Sequence, residues 1–288
     1  MIGVDWGISS MRAYRLHERR VVERLEQPHG ILTVRDGRFD DALRTVIQPW
    51  LADGEDRILL SGMIGSRHGW REAVAVPCPA GVGEVAASLG EVAFDGARVR
   101  LVPGVTDADD DGTPEIMRGE ETQILGAEIG TGIACLPGSH SKWARVVDGR
   151  ITRFATYLTG EIYAAIRDHT ILARQMLGGP GVGAAFDAGV TRSADPGGVL
   201  HHLFGVRSMG LAGRLQDADS ASYLSGLLIG HEVRVALRSA DDVWVIGSAP
   251  LSALYARVIA ACGGEARVGD CDAAAHGLGM IAERAQWT

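Results

Sequence analysis

Two short glycine turns carry the residue types best suited to chemistry. The first, in GVDWGISSMRAYRL, places Asp5 two residues ahead of Gly7 and follows it with Ser9, Ser10 and Arg12. The second, in LPGSHSKW, gathers Gly138, Ser139, His140, Ser141 and Lys142 in one run. Turns of this composition can wrap phosphate oxygens, because successive backbone N–H groups point into one concavity. Arg12 adds a positive charge to the first turn and Lys142 one to the second. Asp5, ending the first strand, is suited to hold a hydrated magnesium ion. Either turn alone reads better as an ordinary hairpin with an exposed Asp5, and His140 suits a phosphate contact or a cap of its turn alike. Two such turns in equivalent places favour phosphate binding.

The elements that must position them come in a repeated order. Ile2 to Asp5, Met11 to Leu16 and Val21 to Leu25 read as strands, Phe39 to Leu51 as a helix and Ile58 to Leu60 as a buried strand. The second half gives strands at Ile133 to Leu136, Trp143 to Val147 and Ile151 to Tyr157, with a hairpin signal at Asp148-Gly149 and a helix from about Gly160. Setting Gly7 on Gly138 superposes the two turns without a gap, which points to a duplicated domain with a boundary near residues 105 to 125. A long helix (Ala221 to Leu237), a strand (Val243 to Ile246) and helices at Leu251 to Cys262 and Asp272 to Arg284 complete the chain. The strand-to-helix turn at Gly247 and Ser248 would let an adenine or ribose approach the backbone, and fits any α/β turn as well. No Walker sequence occurs, and GGPGVGAAF follows no clear strand, so it reads as a flexible connection.

Composition narrows the function classes. With 288 residues, 46% hydrophobic and 22% charged, the chain can bury two cores. A net charge of −8 with scattered arginines argues against nucleic acid and leaves room for a small anion in a local Arg pocket. No signal peptide or membrane-length apolar run is seen, so a cytoplasmic protein without a membrane partner is expected. Cys78, Cys135, Cys262 and Cys271 lack paired spacing and read as buried free thiols.

In this order the pieces resemble the superfamily of sugar kinases, actin and heat-shock chaperone ATPases. GVDWGISSMRAYRL is similar to its first phosphate motif, LPGSHSKW to its second and VIGSAP to its adenosine motif. SGMIGSRHGWREA with VPCPAG, MRGEETQILGA, YLTGEIYAAI and YLSGLLIGHEV bring the resemblance closer, to the 2-keto-3-deoxygalactonokinase family. The resemblance implies an α/β fold of two duplicated actin-like (ribonuclease H-like) domains with a nucleotide cleft between them, here 1–115 and 116–288. It implies ATP and Mg2+ as cofactors, and phosphoryl transfer to the C6 hydroxyl of 2-keto-3-deoxygalactonate in galactonate catabolism. Ile8 stands where related turns carry Thr, and Ser139 replaces another Thr but keeps the hydroxyl.

A sugar-acid acceptor needs a cation for its carboxylate, donors for its hydroxyls and a wall for its body. Arg67 is the first choice for the carboxylate, with His68, Trp70 and Arg71 beside it; otherwise Trp70 fills a gap in the core. As a bare motif, Glu120 and Glu121 suit the first turn of any helix. The resemblance turns them into candidates for the general base, with Glu120 preferred because it directly follows Gly119. Thr159 with Glu161 reads first as a helix start and second as an acceptor contact. A kinase of this fold with another acid or amino-sugar acceptor is the main alternative, and a non-catalytic ATP-binding protein the next. Oligomeric state stays open, a homodimer included.

Overall fold

The computed structural model describes residues 1–237 and 242–287. The first half runs β1 (Ile2–Trp6), β2 (Met11–His17), β3 (Arg20–Gln27), α1 (Phe39–Ala52), β4 (Arg57–Ser61), β5 (Val76–Pro77), α2 (Val82–Ala87), β6 (Gly90–Val92), β7 (Arg98–Leu101), β8 (Val105–Ala108), β9 (Pro114–Met117) and α3 (Glu120–Gly126). The second half runs β10 (Gly132–Leu136), β11 (Ser141–Val147), β12 (Arg150–Tyr157), α4 (Thr159–His169), α5 (Ala184–Arg192), α6 (Gly198–Leu211), α7 (Asp217–Ala236), β13 (Asp242–Val245), α8 (Ala249–Ala261), β14 (Glu265–Val268) and α9 (Ala273–Arg284).

One sheet has the order β3-β2-β1-β4-β7-β6 and another β12-β11-β10-β13-β14. In the first, β1 pairs antiparallel with β2 and parallel with β4, with Asp5 opposite Arg12 on one side and Ser61 on the other. In the second, β10 pairs parallel with β13, which pairs parallel with β14. Both sheets thus open in the order third, second, first, fourth, the actin-like arrangement implied by the resemblance; the second ends on its fifth strand, and the first adds β7 and then β6 at that edge. A small sheet, β5-β8-β9, leads the chain into α3.

The strands hold because the apolar residues on one face of the sheet meet the apolar face of a helix. Ile2, Val4 and Trp6 of β1 and Ile58 and Leu60 of β4 pack against Phe39, Leu43, Ile47 and Trp50 of α1 in one core. Each such buried side chain contributes about 1.5–3 kcal/mol. A second core joins Ile133, Cys135, Val243 and Val245 to Ile229, Val233, Leu254 and Val258. The Asp148-Gly149 turn has positive φ at both residues (50° and 72°), as a tight hairpin with the strands' twist requires. The GGPGVGAAF stretch is a connection only as far as Gly183: α5 starts at Ala184, and Phe186 is fully buried. Of the four thiols expected to be buried, Cys135 is; Cys78 and Cys262 are half-buried and Cys271 is exposed. No helix among the described residues is long and apolar enough to cross a membrane.

Contacts divide the chain into two units. One comprises Met1–Thr131, Ala144–Ala155 and the segment from Asp270 on; the other comprises Gly132–Trp143 and Thr156–Gly269. These limits differ from 1–115 and 116–288 because α3 and the C-terminal α9 pack tightly on each other in the first unit. A Cβ on Gly126 would lie 1.9 Å from the Ala273 carbonyl oxygen, and one on Gly277 1.9 Å from that of Thr122. Gly126→Ala is therefore expected to destabilise the first unit by about 1–3 kcal/mol, measurable by denaturant unfolding.

Candidate active site

In the first unit, three segments converge on Asp5: the end of β1, the Ser61-Gly62 exit from β4, and the Gly119 entry to α3. Gly62 has φ 95° and Gly119 φ 107°, a region that favours glycine. Side chains there would also intrude: a Cβ on Gly62 would lie 2.7 Å from the Trp6 carbonyl oxygen and 3.3 Å from Asp5 Oδ1, and one on Gly119 3.1 Å from the Gly62 Cα. The Asp5 side chain is 16% exposed, and its nearest counter-charge is Arg12 at 3.9 Å. Burial pushes its carboxyl up to about 6, Arg12 acting against this and Glu120 with it. A desolvated carboxylate with one long ion pair is a fitting donor for a hard divalent cation.

The two glutamates have separate fates. Glu121 is fully buried. Its Oε2 accepts the Gly119 N–H at 2.7 Å and its Oε1 the Thr122 hydroxyl at 3.0 Å, while Thr122 Oγ1 shares a 2.7 Å hydrogen bond with Ser61 Oγ. Burial, with the charge of Glu120 adding to it, pushes Glu121 up to about 8. Glu120 is half-buried, and its Oε2 accepts the Arg118 N–H at 3.1 Å.

The first glycine turn closes on itself, Gly7 N–H donating to the Ser10 carbonyl at 2.9 Å. Gly7 thus spends its own amide inside the turn. The 28–31 segment buttresses it: Ile31 N–H donates to the Gly7 carbonyl, and Trp6 Nε1 to that of His29. Ser9 is exposed and Ser10 half-buried. Arg12 is held by Glu26 at 3.0 Å besides its longer pair with Asp5.

In the second unit, the turn at Gly138, Ser139 and His140 abuts the start of α4. Glu161 N–H donates to the Ser139 carbonyl, and a Cβ on Gly160 would lie 2.2 Å from the Gly138 carbonyl oxygen. His140 Nε2 meets the Glu161 carboxylate, which places Glu161 beside this turn. Lys142 is 4% exposed, its ammonium donating to the His140 carbonyl. Ser141 faces inward, contrary to the expected phosphate contact. Its hydroxyl meets Tyr255 at 2.8 Å and Glu232 at 3.3 Å.

Glu232 also accepts from Trp143 Nε1 and Tyr255 Oη, both at 2.8 Å, and from Thr159. Sequence reasoning missed it, since only packing shows that a glutamate within α7 ties together the residues flanking Lys142. Each orphaned buried donor costs about 1–3 kcal/mol. Glu232→Ala is therefore expected to lower stability by about 3 kcal/mol or more and to raise the KM for nucleotide, read by thermal unfolding and kinetics. Gly247 follows β13 beside Pro137, which follows β10; a Cβ on Gly247 would lie 3.6 Å from the Pro137 carbonyl oxygen. Ser248 is the exposed cap residue of α8, and the nearby Ser252 hydroxyl is buried without a partner.

The family described as 2-keto-3-deoxy-galactonokinase matches residues 5–281. The chain belongs to that family. A curated 2-dehydro-3-deoxygalactonokinase from Rhizobium meliloti is 35% identical over 296 residues, spanning 99% of this chain and 96% of the relative. Its namesake in Escherichia coli is 28% identical, spanning 91% and 90%. A crystal structure from Sinorhizobium meliloti, named for the same kinase, aligns with a TM-score of 0.90 at 34% identity over 98% of this chain and 95% of the other. The ADPNP-bound activator of 2-hydroxyisocaproyl-CoA dehydratase from Clostridium difficile shares the fold at a TM-score of 0.52 and 12% identity, over 98% and 94%.

In this 2-keto-3-deoxygalactonokinase family member, the SRHGW segment expected to receive the acceptor divides between core and surface. Trp70 packs between Phe39 (stacked, 6.5 Å between ring centroids) and Phe94 (edge-on, 6.3 Å), filling the gap in the core. Arg71 donates to the Glu91 carbonyl at 2.7 Å. The Arg67 side chain is 81% exposed, with only a 3.7 Å pair to Glu72, and His68 is exposed beside it.

Proposed function

We propose that this chain transfers the γ-phosphoryl group of ATP to the C6 hydroxyl of 2-keto-3-deoxygalactonate, a step of galactonate catabolism. Membership of the kinase family over residues 5–281 carries this reading, and the meeting of Asp5 and Glu120 at the α3 entry supports it. Glu120 acts as general base. It takes the proton of the acceptor hydroxyl as the new O–P bond forms, while the bond from the γ-phosphorus to its bridging oxygen breaks and ADP leaves. Glu121 has the wrong protonation for this role, since a buried carboxyl pushed up to about 8 already holds a proton at neutral pH.

Asp5 is the residue that would hold Mg2+, which supplies charge neutralisation on the phosphates when bound. The free amides of the two glycine turns wrap phosphate oxygens, and the Gly247-Ser248 turn receives the adenosine. Assay of purified protein with ATP and 2-keto-3-deoxygalactonate tests the reading, with 2-keto-3-deoxygluconate as comparison. ATP turnover that no sugar acid stimulates would exclude it.

A further inference from the structure

One guanidinium nitrogen among the described residues is buried without a partner, Nη1 of Arg118. Other shielded arginines of the same unit are paired: Arg15 with Glu23, Asp53 and Glu55, and Arg100 with Glu91. Arg118 sits between β9 and Gly119, and its side chain runs between two glycines. A Cβ on Gly104 would lie 2.7 Å from its Cγ, and one on Gly65 3.8 Å from Nη1. Gly65 belongs to the SGMIGSR segment, so the guanidinium lies against the stretch expected to receive the acceptor. Glu121 and Glu72 act on it from a distance, and burial lowers its pKa. Leaving a half-buried guanidinium without an anion is costly, and a purely structural arginine would be paired.

We propose that Arg118, rather than Arg67, anchors the carboxylate of the sugar-acid acceptor. The planar fork of a guanidinium matches a carboxylate with two parallel bonds, and a desolvated one binds far more strongly than the exposed Arg67. The placement also suits the chemistry. The backbone N–H of Arg118 donates to Glu120 Oε2, so a carboxylate held by the Arg118 side chain brings the acceptor to the segment that carries the base. This inference rests on the kinase reading above and adds how an acid is selected over a neutral sugar.

The test compares wild type, Arg118→Met, Arg118→Lys and Arg67→Ala on the keto acid and on its methyl ester. Arg118→Met should raise the acceptor KM by at least about 30-fold, the size expected for truncating one partner of a buried charged pair. The ATP KM should stay within about twofold, and the acid-to-ester ratio of kcat/KM should collapse towards one. Arg118→Lys should keep the preference for acid in part, and Arg67→Ala in full. Arg118→Met should melt no lower than wild type, because it removes an unpaired buried charge. A preserved acid preference in Arg118→Met, or its loss in Arg67→Ala, overturns the assignment. If wild type fails to phosphorylate the keto acid, the kinase reading falls separately. Carboxylate anchoring is then upheld if a hexonate raises the melting temperature of wild type but not of Arg118→Met, and overturned if none does.

Discussion

Asp5→Asn should fold normally and lose at least about two orders of magnitude in kcat. The neutral amide keeps the shape of the side chain but holds a divalent cation poorly, and phosphoryl transfer depends on that cation to offset charge on the phosphates. Stability should respond in the opposite direction. The Asp5 carboxyl stands at about 6 in the folded chain against an ordinary 3.8. Between these values the folded chain holds a proton that the unfolded chain has released, so the group favours folding less and less as pH rises through about 4 to 6. Asp5→Asn removes that slope and, at pH 7, relieves the cost of a buried charge. Urea unfolding from pH 4 to 8, without divalent cations, reads this directly. A variant with near-normal kcat at moderate magnesium would take Asp5 out of the reaction.

Glu120→Gln has the second large effect, a fall in kcat of about 10²-fold or more with both KM values nearly unchanged. The amide preserves an acceptor for the Arg118 N–H and removes only the basicity. Glu121→Gln is the control that separates the two acids. Its carboxyl is pushed from 4.5 to about 8, so it is uncharged at neutral pH, and an amide can still accept from Gly119 and Thr122. Turnover in Glu121→Gln should stay within a few-fold of wild type. Its stability should lose the downward slope with rising pH that Glu121 imposes between about 4.5 and 8, where the folded chain alone retains the proton. Normal turnover in Glu120→Gln with a dead Glu121→Gln would reverse the roles. Normal turnover in both would leave neither as the base.

Several decisions were already legible in the chain. The alternation in MRAYRL, the short apolar runs at Ile2, Ile58 and Ile133, and the spacing of Phe39, Leu43 and Ile47 are local patterns, and each became the strand or helix it implied. The glycine turns were legible for the same reason, since turn chemistry is set within a few residues. Their repetition in one order pointed to a duplicated domain, and the resemblance of the quoted motifs named the family. Short strands such as β6 and β8 carry too few residues for periodicity to register, and were not seen.

What the tertiary structure alone decided is which polar groups are dry, and against what. Glu120 and Glu121 are adjacent in sequence, yet Glu121 is fully buried against the Gly119 amide and the Thr122 hydroxyl while Glu120 remains half-exposed. Arg67 and Arg118 are both arginines near glycines, but Gly65 and Gly104, far apart in the chain, enclose only Arg118. Ser141 turns inward because Glu232 and Tyr255, 91 and 114 residues away, wait there. Trp70 went to Phe39 and Phe94 because the core had room for it. Burial and desolvation come from segments distant in sequence, so no local pattern could have told that Glu121 is the buried glutamate, that Arg118 is the enclosed arginine, or that Glu232 braces the second turn.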